Sequence, residues 1–486
     1  MNQSKSHGYP LRRAAIVAAL LALVLPVTGE AGDPPAIETN GYFQGRPAAA
    51  FDFGGSPSVP GATHARYLVA FEADTFPVAK QVWGKLIQWD GERIEIPSGD
   101  SVYDWALNIS ADGAVAHTKP TVAFKFGSIT APRRSYFVAW QRSDGALGFR
   151  ILDRAGNPTM APRKIALSGL TLRDPSAATK PDVGFSCGLT VACPYPHLLA
   201  YRATSFGTTT DPFSSIRLAM VNDASGAWSE KLVESLGAGD QPLSAPQIAY
   251  GHSASNSDGY NDDYYVLAYR RPNGQIVVRK VSVVGGTPDK DEDKIVVTSS
   301  SNGPPVLAYS YASDRWAVFW RTIISNPYGT SAALRGQLFA GSPGLEPLVP
   351  VGSLVTAVSV PLSEFATPAS ALPEYSLAGS HTATEYWPYE GVFELAYVRG
   401  SGNGEVYTRK IFASGTLGST TRLTDDAKND RYVQLAVTRI DPLTTSFASP
   451  LACTGAPGSR CALWVYEHFW SSTDHDIHGY WTSSQY

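Results

Sequence analysis

One run recurs seven times between Arg46 and Tyr486, and it limits the fold more than any other feature of the chain. It reads Tyr67-Leu-Val-Ala-Phe71, Tyr136-Phe-Val-Ala-Trp140, His197-Leu-Leu-Ala-Tyr201, Tyr265-Val-Leu-Ala-Tyr269, Trp316-Ala-Val-Phe-Trp320, Phe393-Glu-Leu-Ala-Tyr397 and Ala462-Leu-Trp-Val-Tyr466. Self-similarity at this period is the mark of a repeat architecture, and it overrides the two or three domains that length alone suggests. Each run follows a first strand of small and apolar residues, at Pro47 to Phe51, Pro120 to Phe124, Pro181 to Phe185, Pro246 to Tyr250 and Pro305 to Tyr309, with weaker versions at Leu372 to Tyr375 and Tyr432 to Val437. Each is followed by an alternating strand such as Leu147 to Leu152, Ile276 to Val281 or Val406 to Ile411, then by a fourth short run. Four strands per unit make a propeller blade.

The expectation is an all-β fold, a β-propeller of seven four-stranded blades at about 46–97, 119–167, 180–233, 245–297, 304–351, 370–424 and 425–486. β-branched and aromatic residues alternating with polar ones suit half-buried strands, and 44 glycines and 35 prolines punctuate the chain too often for helices. The seventh unit runs out after three strands. Residues 36–43, ahead of the first unit, are the natural donor of its fourth, because a closed ring leaves no open blade edge. The long Gly-, Ser- and Pro-rich loops between first and second strands should decorate one face.

Residues 1–31 read as a signal peptide, with Lys5, Arg12 and Arg13 ahead of an apolar run from Ala14 to Leu25, then Gly29 and Ala31. The apolar run is too short for a bilayer span, which needs roughly 20 residues. The remaining 32–486 should form the propeller, secreted or periplasmic, and no cysteine near the cleavage region offers a lipid anchor. Removing three of 39 basic and one of 43 acidic residues leaves 36 against 42, a formal −6. That balance argues against nucleic-acid binding. The chain is expected to act as a monomer.

The four cysteines form two close pairs, Cys187 with Cys193 and Cys453 with Cys461, in the first-to-second-strand loops of the third and seventh units. In an oxidising compartment they read as local disulfides. Their spacing does not suit zinc.

At Arg66 to Phe71, Ser135 to Trp140 and Asp476-Ile-His-Gly-Tyr-Trp481 the chain resembles secreted bacterial β-propeller repeat proteins with Tyr-Leu-Val-Val-Trp and Asp-Ile-Tyr-Gly units. That resemblance covers nearly all of the chain after the signal peptide and implies architecture, not a shared activity. A looser resemblance is to propeller-type polysaccharide lyases such as the ulvan lyases, on His117, Tyr250, Arg270 and Arg321. It implies His and Tyr in acid/base roles with an Arg neutralising a uronate carboxylate. A second His of those lyases has no counterpart here, where Gln141 and Arg142 stand. The competing reading makes His117 a structural residue.

Arg202, Arg270 and Arg321 directly follow their markers, so matched positions on successive blades could gather them near the axis, where guanidinium groups suit an anionic ligand. Alternatively they pair with acids between blades. Tyr309 ends a first strand as Tyr250 does, and Trp387 and Tyr389 lie in the aromatic Ser376 to Glu390 loop, a candidate sugar platform. Asn256 to Asp263 offers oxygen ligands for a structural Ca²⁺, although Asn, Asp and Gly are also ordinary turn residues. His475 and His478 should face opposite sides of one strand, which speaks against a metal site. No Gly-x-Ser-x-Gly, His-Glu-x-x-His or Walker motif is present. The expected function is binding or scaffolding of a glycan or protein surface on the loop-bearing face, with a polysaccharide lyase as the alternative.

Overall fold

The computed structural model describes residues 36–38, 43–52, 66–74, 79–88, 93–94, 96, 98–99, 106–125, 135–179, 196–205, 213–236, 243–252, 263–284, 287–297, 299, 302–310, 313–326, 329–341, 348–365, 374–379, 392–400, 403–425, 428–437, 460–469 and 474–484. Residues Asp33–Tyr486 form one compact unit. Seven antiparallel sheets make it up, six of them built from consecutive strands and the seventh from both ends of the unit, in the arrangement of a seven-bladed β-propeller.

Blade 1 comprises Gln44–Asp52, Arg66–Ala73, Gln81–Gln88 and Arg93–Ile94, with Leu107–Asn108 also paired to its third strand. Blade 2 comprises His117–Lys125, Ser135–Arg142, Leu147–Asp153 and Arg163–Ile165, and blade 3 Leu170–Thr179, His197–Ser205, Phe213–Val221 and Trp228–Ser235. Blade 4 is Gln247–His252, Asp263–Arg270, Ile276–Val284 and Thr287–Val297; blade 5 is Pro305–Ser310, Arg315–Asn326, Gly329–Ala340 and Val349–Pro361. Blade 6 is Tyr375–Gly379, Val392–Arg399, Glu405–Phe412 and Leu417–Arg422. Blade 7 takes Asn429–Val437, Arg460–Phe469 and His475–Ser484 from the end of the chain and Ala36–Glu38 from its beginning, paired antiparallel to the last strand.

The recurring markers are the second strands, and their burial explains their composition. Tyr67, Tyr136, Tyr201, Tyr265, Trp316 and Tyr466 are at most 2% exposed. A strand packed between two neighbouring blades is apolar on both faces and loses the usual alternation. Compensating glycines sit beside the largest rings: a Cβ on Gly148 would fall 2.3 Å from the Trp140 ring, and one on Gly336 2.6 Å from Phe319.

The third blade corrects one expectation. Its first strand is Leu170–Thr179, upstream of Pro181 to Phe185, which lies outside the described residues. The strand contains Asp174-Pro175, a pair that normally signals a turn. It is accommodated by a bulge between Arg173 and Ser176, one of the places where a strand tolerates proline.

The first strands line the axis. Their register puts alanine at one shared position in all seven blades: Ala50, Ala123, Ala178, Ala249, Ala308, Ala378 and Ala436, opposite Leu68, Phe137, Leu198, Val266, Ala317, Glu394 and Leu463. Seven methyl groups thus stand at one level around the axis, where the inner strands converge. Two residues earlier, hydroxyls join the blades. Ala177 N–H donates to Thr121 Oγ1 at 3.2 Å, Ile248 N–H to Ser176 Oγ at 3.1 Å and Leu435 N–H to Ser376 Oγ at 3.2 Å. The inner edge of a blade has no further strand to pair with, so these side chains supply acceptors that a sheet would otherwise provide.

Candidate functional site: the mouth of the axial channel

The axial channel holds two cavities, each lined by residues of all seven first strands. One, of about 220 Å³, lies where the first strands begin and is bordered by Arg46, Lys119, Asp174, Tyr375 and Tyr432. The other, of about 250 Å³, lies where they end, bordered by Phe51, Phe124, Tyr250, Tyr309 and the alanine ring. The two ends differ in chemistry: the first is charged, the second aromatic and small.

The charged mouth is built by a repeated irregularity. Blades 1, 2, 3 and 7 each carry a bulge near the start of the first strand. Within these bulges Arg46, Lys119, Asp174 and Tyr432 have φ of 47°, 53°, 52° and 50°. Such left-handed conformations are uncommon for residues other than glycine and cost free energy. Bulges re-aim side chains, and here all four line the same cavity. In three of them the next residue is proline, Pro47, Pro120 and Pro175.

At three seams the residue after the marker receives the neighbouring bulge. Glu467 of blade 7 accepts Arg46 N–H at 3.1 Å, Glu72 of blade 1 accepts Lys119 N–H at 2.7 Å, and Gln141 of blade 2 accepts Asp174 N–H at 3.3 Å. Glu72 is only 3% exposed. Burial pushes its carboxyl above the usual range, opposed by Arg46, the Lys119 N–H and Lys80. Arg46 Nε and Lys80 Nζ each lie 3.7 Å from its oxygens. Lys119 Nζ donates to Asp174, Arg202 Nη2 meets Asp174 Oδ2 at 2.7 Å, and Arg46 lies over the Tyr432 ring at 5.5 Å. Contacts therefore run unbroken from blade 7 through blade 3.

Along blades 3 to 5 the position after the marker is arginine instead. Arg202 completes its bonds with Asp174 and with Leu243 O at 3.1 Å. Arg321 donates from Nη2 to Phe365 O at 3.3 Å, and its backbone N–H reaches Tyr375 Oη at 3.0 Å. Arg270 ends its strand on the same side of the ring.

The residues singled out in the sequence divide between the two ends. His117, Arg202, Arg270 and Arg321 stand where first strands begin or second strands end, the charged side. Tyr250 and Tyr309 line the opposite cavity, three residues beyond the level of Gln247 and Val306, about 10 Å along a strand. Tyr309 Oη donates to Asp314 Oδ1 at 2.8 Å. His117 is fully buried. Its Nδ1 accepts from Trp140 Nε1 at 2.7 Å and its Nε2 donates to Asp112 O at 2.9 Å, the neutral tautomer that fits both neighbours. Burial, with the Arg142 charge, holds its pKa below the ordinary histidine range, although Asp112 O opposes this.

Trp387, Tyr389, Cys187, Cys193 and Cys453 lie outside the described residues, as does most of the Asn256 to Asp263 loop; Cys461 is described only in its backbone. His475 and His478 face opposite sides: His475 bonds Glu467 Oε1 at 2.8 Å, whereas His478 stacks on His468 at 4.4 Å. Among the described residues no cluster of three His, Cys, Asp or Glu side chains has the arrangement to hold a metal ion, and no helix is long and apolar enough to cross a membrane.

No family model matches the chain, and no curated protein matches it. Solved structures do. The BP39L lectin from Burkholderia pseudomallei is similar over 91% of this chain and 100% of its own, at 13% identity and a TM-score of 0.47. The SapL1 lectin, solved with alpha methyl fucoside, is similar over 79% of this chain and 97% of its own at 9% identity and 0.37. The GH43B protein of a Bacteroides ovatus xyloglucan locus covers 93% of this chain and 80% of its own at 11% and 0.28. At such scores the likeness carries no argument about ligand or activity.

Glu72, with Gln141 and Glu467, stands at the countable position after its marker, where pairing between neighbouring blades is expected, but Arg46, Lys119, Asp174 and Tyr432 were not marked. The signal that could have found them is the charged residue followed by proline at the start of three successive first strands.

Proposed function

We propose that the chain is an exported binding protein that engages a glycan or a protein surface at the charged mouth of its axial channel. The observation that carries this reading is the ring of four non-glycine residues at positive φ around one cavity. Strain of this kind persists only where the surroundings over-determine it, and it concentrates at ligand-binding positions. The side chains it presents, with Arg202, Arg270 and Arg321 behind them, favour anionic partners.

A lyase needs a base and an acid within reach of one sugar. His117 has both ring nitrogens engaged in a buried site, and Tyr250 borders the other cavity. Both facts favour binding over β-elimination.

The test uses the purified exported protein, immobilised polygalacturonate and heparin, and dextran as the neutral control. Binding predicts saturable retention on an acidic polymer, weakened by salt and by Arg46→Ala or Lys119→Ala, with no rise in the ultraviolet absorbance of unsaturated uronates. Sustained absorbance that His117→Ala abolishes would establish the lyase instead. Equal retention on dextran and on both acidic polymers, unaffected by either substitution, would move the binding surface away from this mouth.

A further inference from the structure

We propose that Arg270 anchors an oxyanion-binding site on the blade 4 to blade 6 side of the channel mouth, taking a carboxylate or sulfate group. The proposal deepens the binding reading above and rests on it only for the larger ligand that carries the group.

The three arginines at matched ring positions are not equivalent. Arg202 is held by a carboxylate and a carbonyl, and Arg321 by the Phe365 carbonyl, with its guanidinium over the Phe365 ring at 5.9 Å. Arg270 is anchored through its backbone, whose N–H donates to Ser244 Oγ at 2.9 Å. All three bury an unbonded Nε, but among the described residues the Arg270 guanidinium alone of the three has neither a hydrogen-bond acceptor nor a carboxylate in ion-pair range. Burial lowers its pKa, opposed by Tyr375.

Its neighbours cannot complete it. Tyr375, its electrostatic neighbour, uses its hydroxyl to donate to Pro304 O and to accept the Arg321 N–H. Asp174, the acid of the adjoining bulge, is already shared by Lys119 and Arg202. Tyr375 lines the cavity, as do Ile248, Val306 and Leu307, whereas Arg270 itself is set back from that lining. A partly buried guanidinium binds a two-oxygen anion more strongly than one in open water, because screening is weaker and two parallel N–H donors fit the two oxygens. Around blades 7 to 3 the charged groups pair in part with one another, whereas the Arg270 guanidinium has no such partner among the described residues.

The experiment titrates the full exported chain by calorimetry with glucuronate, with sulfate and with methyl glucoside, at fixed ionic strength set by chloride. Wild type should bind glucuronate or sulfate and not methyl glucoside. Arg270→Gln should weaken the bound anion at least tenfold. Arg270→Lys, which keeps the charge and loses the paired donors, should weaken it several-fold, and it serves also if the glutamine variant does not fold. A preference for glucuronate assigns a carboxylate, and one for sulfate a sulfate ester. Anion affinity unchanged in both variants, or no anion binding by wild type, overturns the proposal. Failure here alongside polymer retention that depends on Arg46 leaves the binding reading standing, whereas Arg270-dependent anion binding without polymer retention removes that reading and keeps the site.

Discussion

The backbone N–H of Lys119 donates to Oε1 of Glu72 at 2.7 Å, across the seam between the first and second blades. Through this bond a strained residue of one blade is held by a buried acid of its neighbour, and Arg46 and Lys80 gather on the same carboxylate.

Glu72→Ala should therefore destabilise the fold by about 2–4 kcal/mol, since it leaves a buried donor and two cations without their acceptor. Glu72→Gln, which keeps an acceptor, should stay within about 1 kcal/mol of wild type. Because burial raises the Glu72 carboxyl, the folded state binds its proton more tightly than the unfolded chain does. Its contribution is full below the ordinary carboxylate range and falls as pH rises through the folded value. Urea melts of wild type and Glu72→Gln between pH 4 and 7 read both effects.

His117 and His197 contribute with the opposite sign. Burial lowers both pKa values, so the unfolded chain takes up protons that the folded one refuses, and stability falls as pH drops below the ordinary histidine value near 6.5. His117→Gln, able to accept from Trp140 Nε1, should flatten part of that decline. A melting temperature whose pH dependence is identical in wild type and variant would contradict this account of His117.

The alanine ring predicts sensitivity to size rather than to polarity. Ala178→Leu, at a position 5% exposed, should cost about 1–3 kcal/mol by overpacking the axis. Leu232→Ala, 41% exposed on the outer strand of blade 3, should change stability by no more than about 0.5 kcal/mol. Denaturation midpoints of the two variants make the comparison.

For the cysteines, peptide mapping of the purified protein without reductant is expected to find Cys187 joined to Cys193 and Cys453 to Cys461. Cys461 is the second residue of the strand Arg460–Phe469 rather than part of the loop before it, and a crosswise pairing would contradict the reading of two local disulfides.

How much of this was legible follows from where burial is recorded in the chain. Second strands announce themselves because runs such as Tyr136-Phe-Val-Ala-Trp140 are enclosed on both faces and admit little but apolar residues. Seven blades could be counted from them alone. The first strand of blade 3 could not be read, because Asp174-Pro175 interrupts it with residues that suit a loop, and only the bulge makes them compatible with a strand. The site was half legible. Arg202, Arg270 and Arg321 stand at a countable distance from each marker, but nothing local tells that Arg270 lacks the acceptors that Arg202 has. That Tyr250 and Tyr309 face the other cavity follows from antiparallel pairing alone, because a first strand ends beside the start of its partner, far from Arg270 and Arg321.

The pairing of Ala36–Glu38 with His475–Ser484 has a temporal consequence. Six blades draw all their strands from contiguous chain and can form in the order in which they emerge from the ribosome or translocon. The seventh needs the earliest strand and the latest, so the circle stays open until the final residues arrive. Deleting a few residues from either end of the propeller should then produce the same lesion, a ring that opens at one seam.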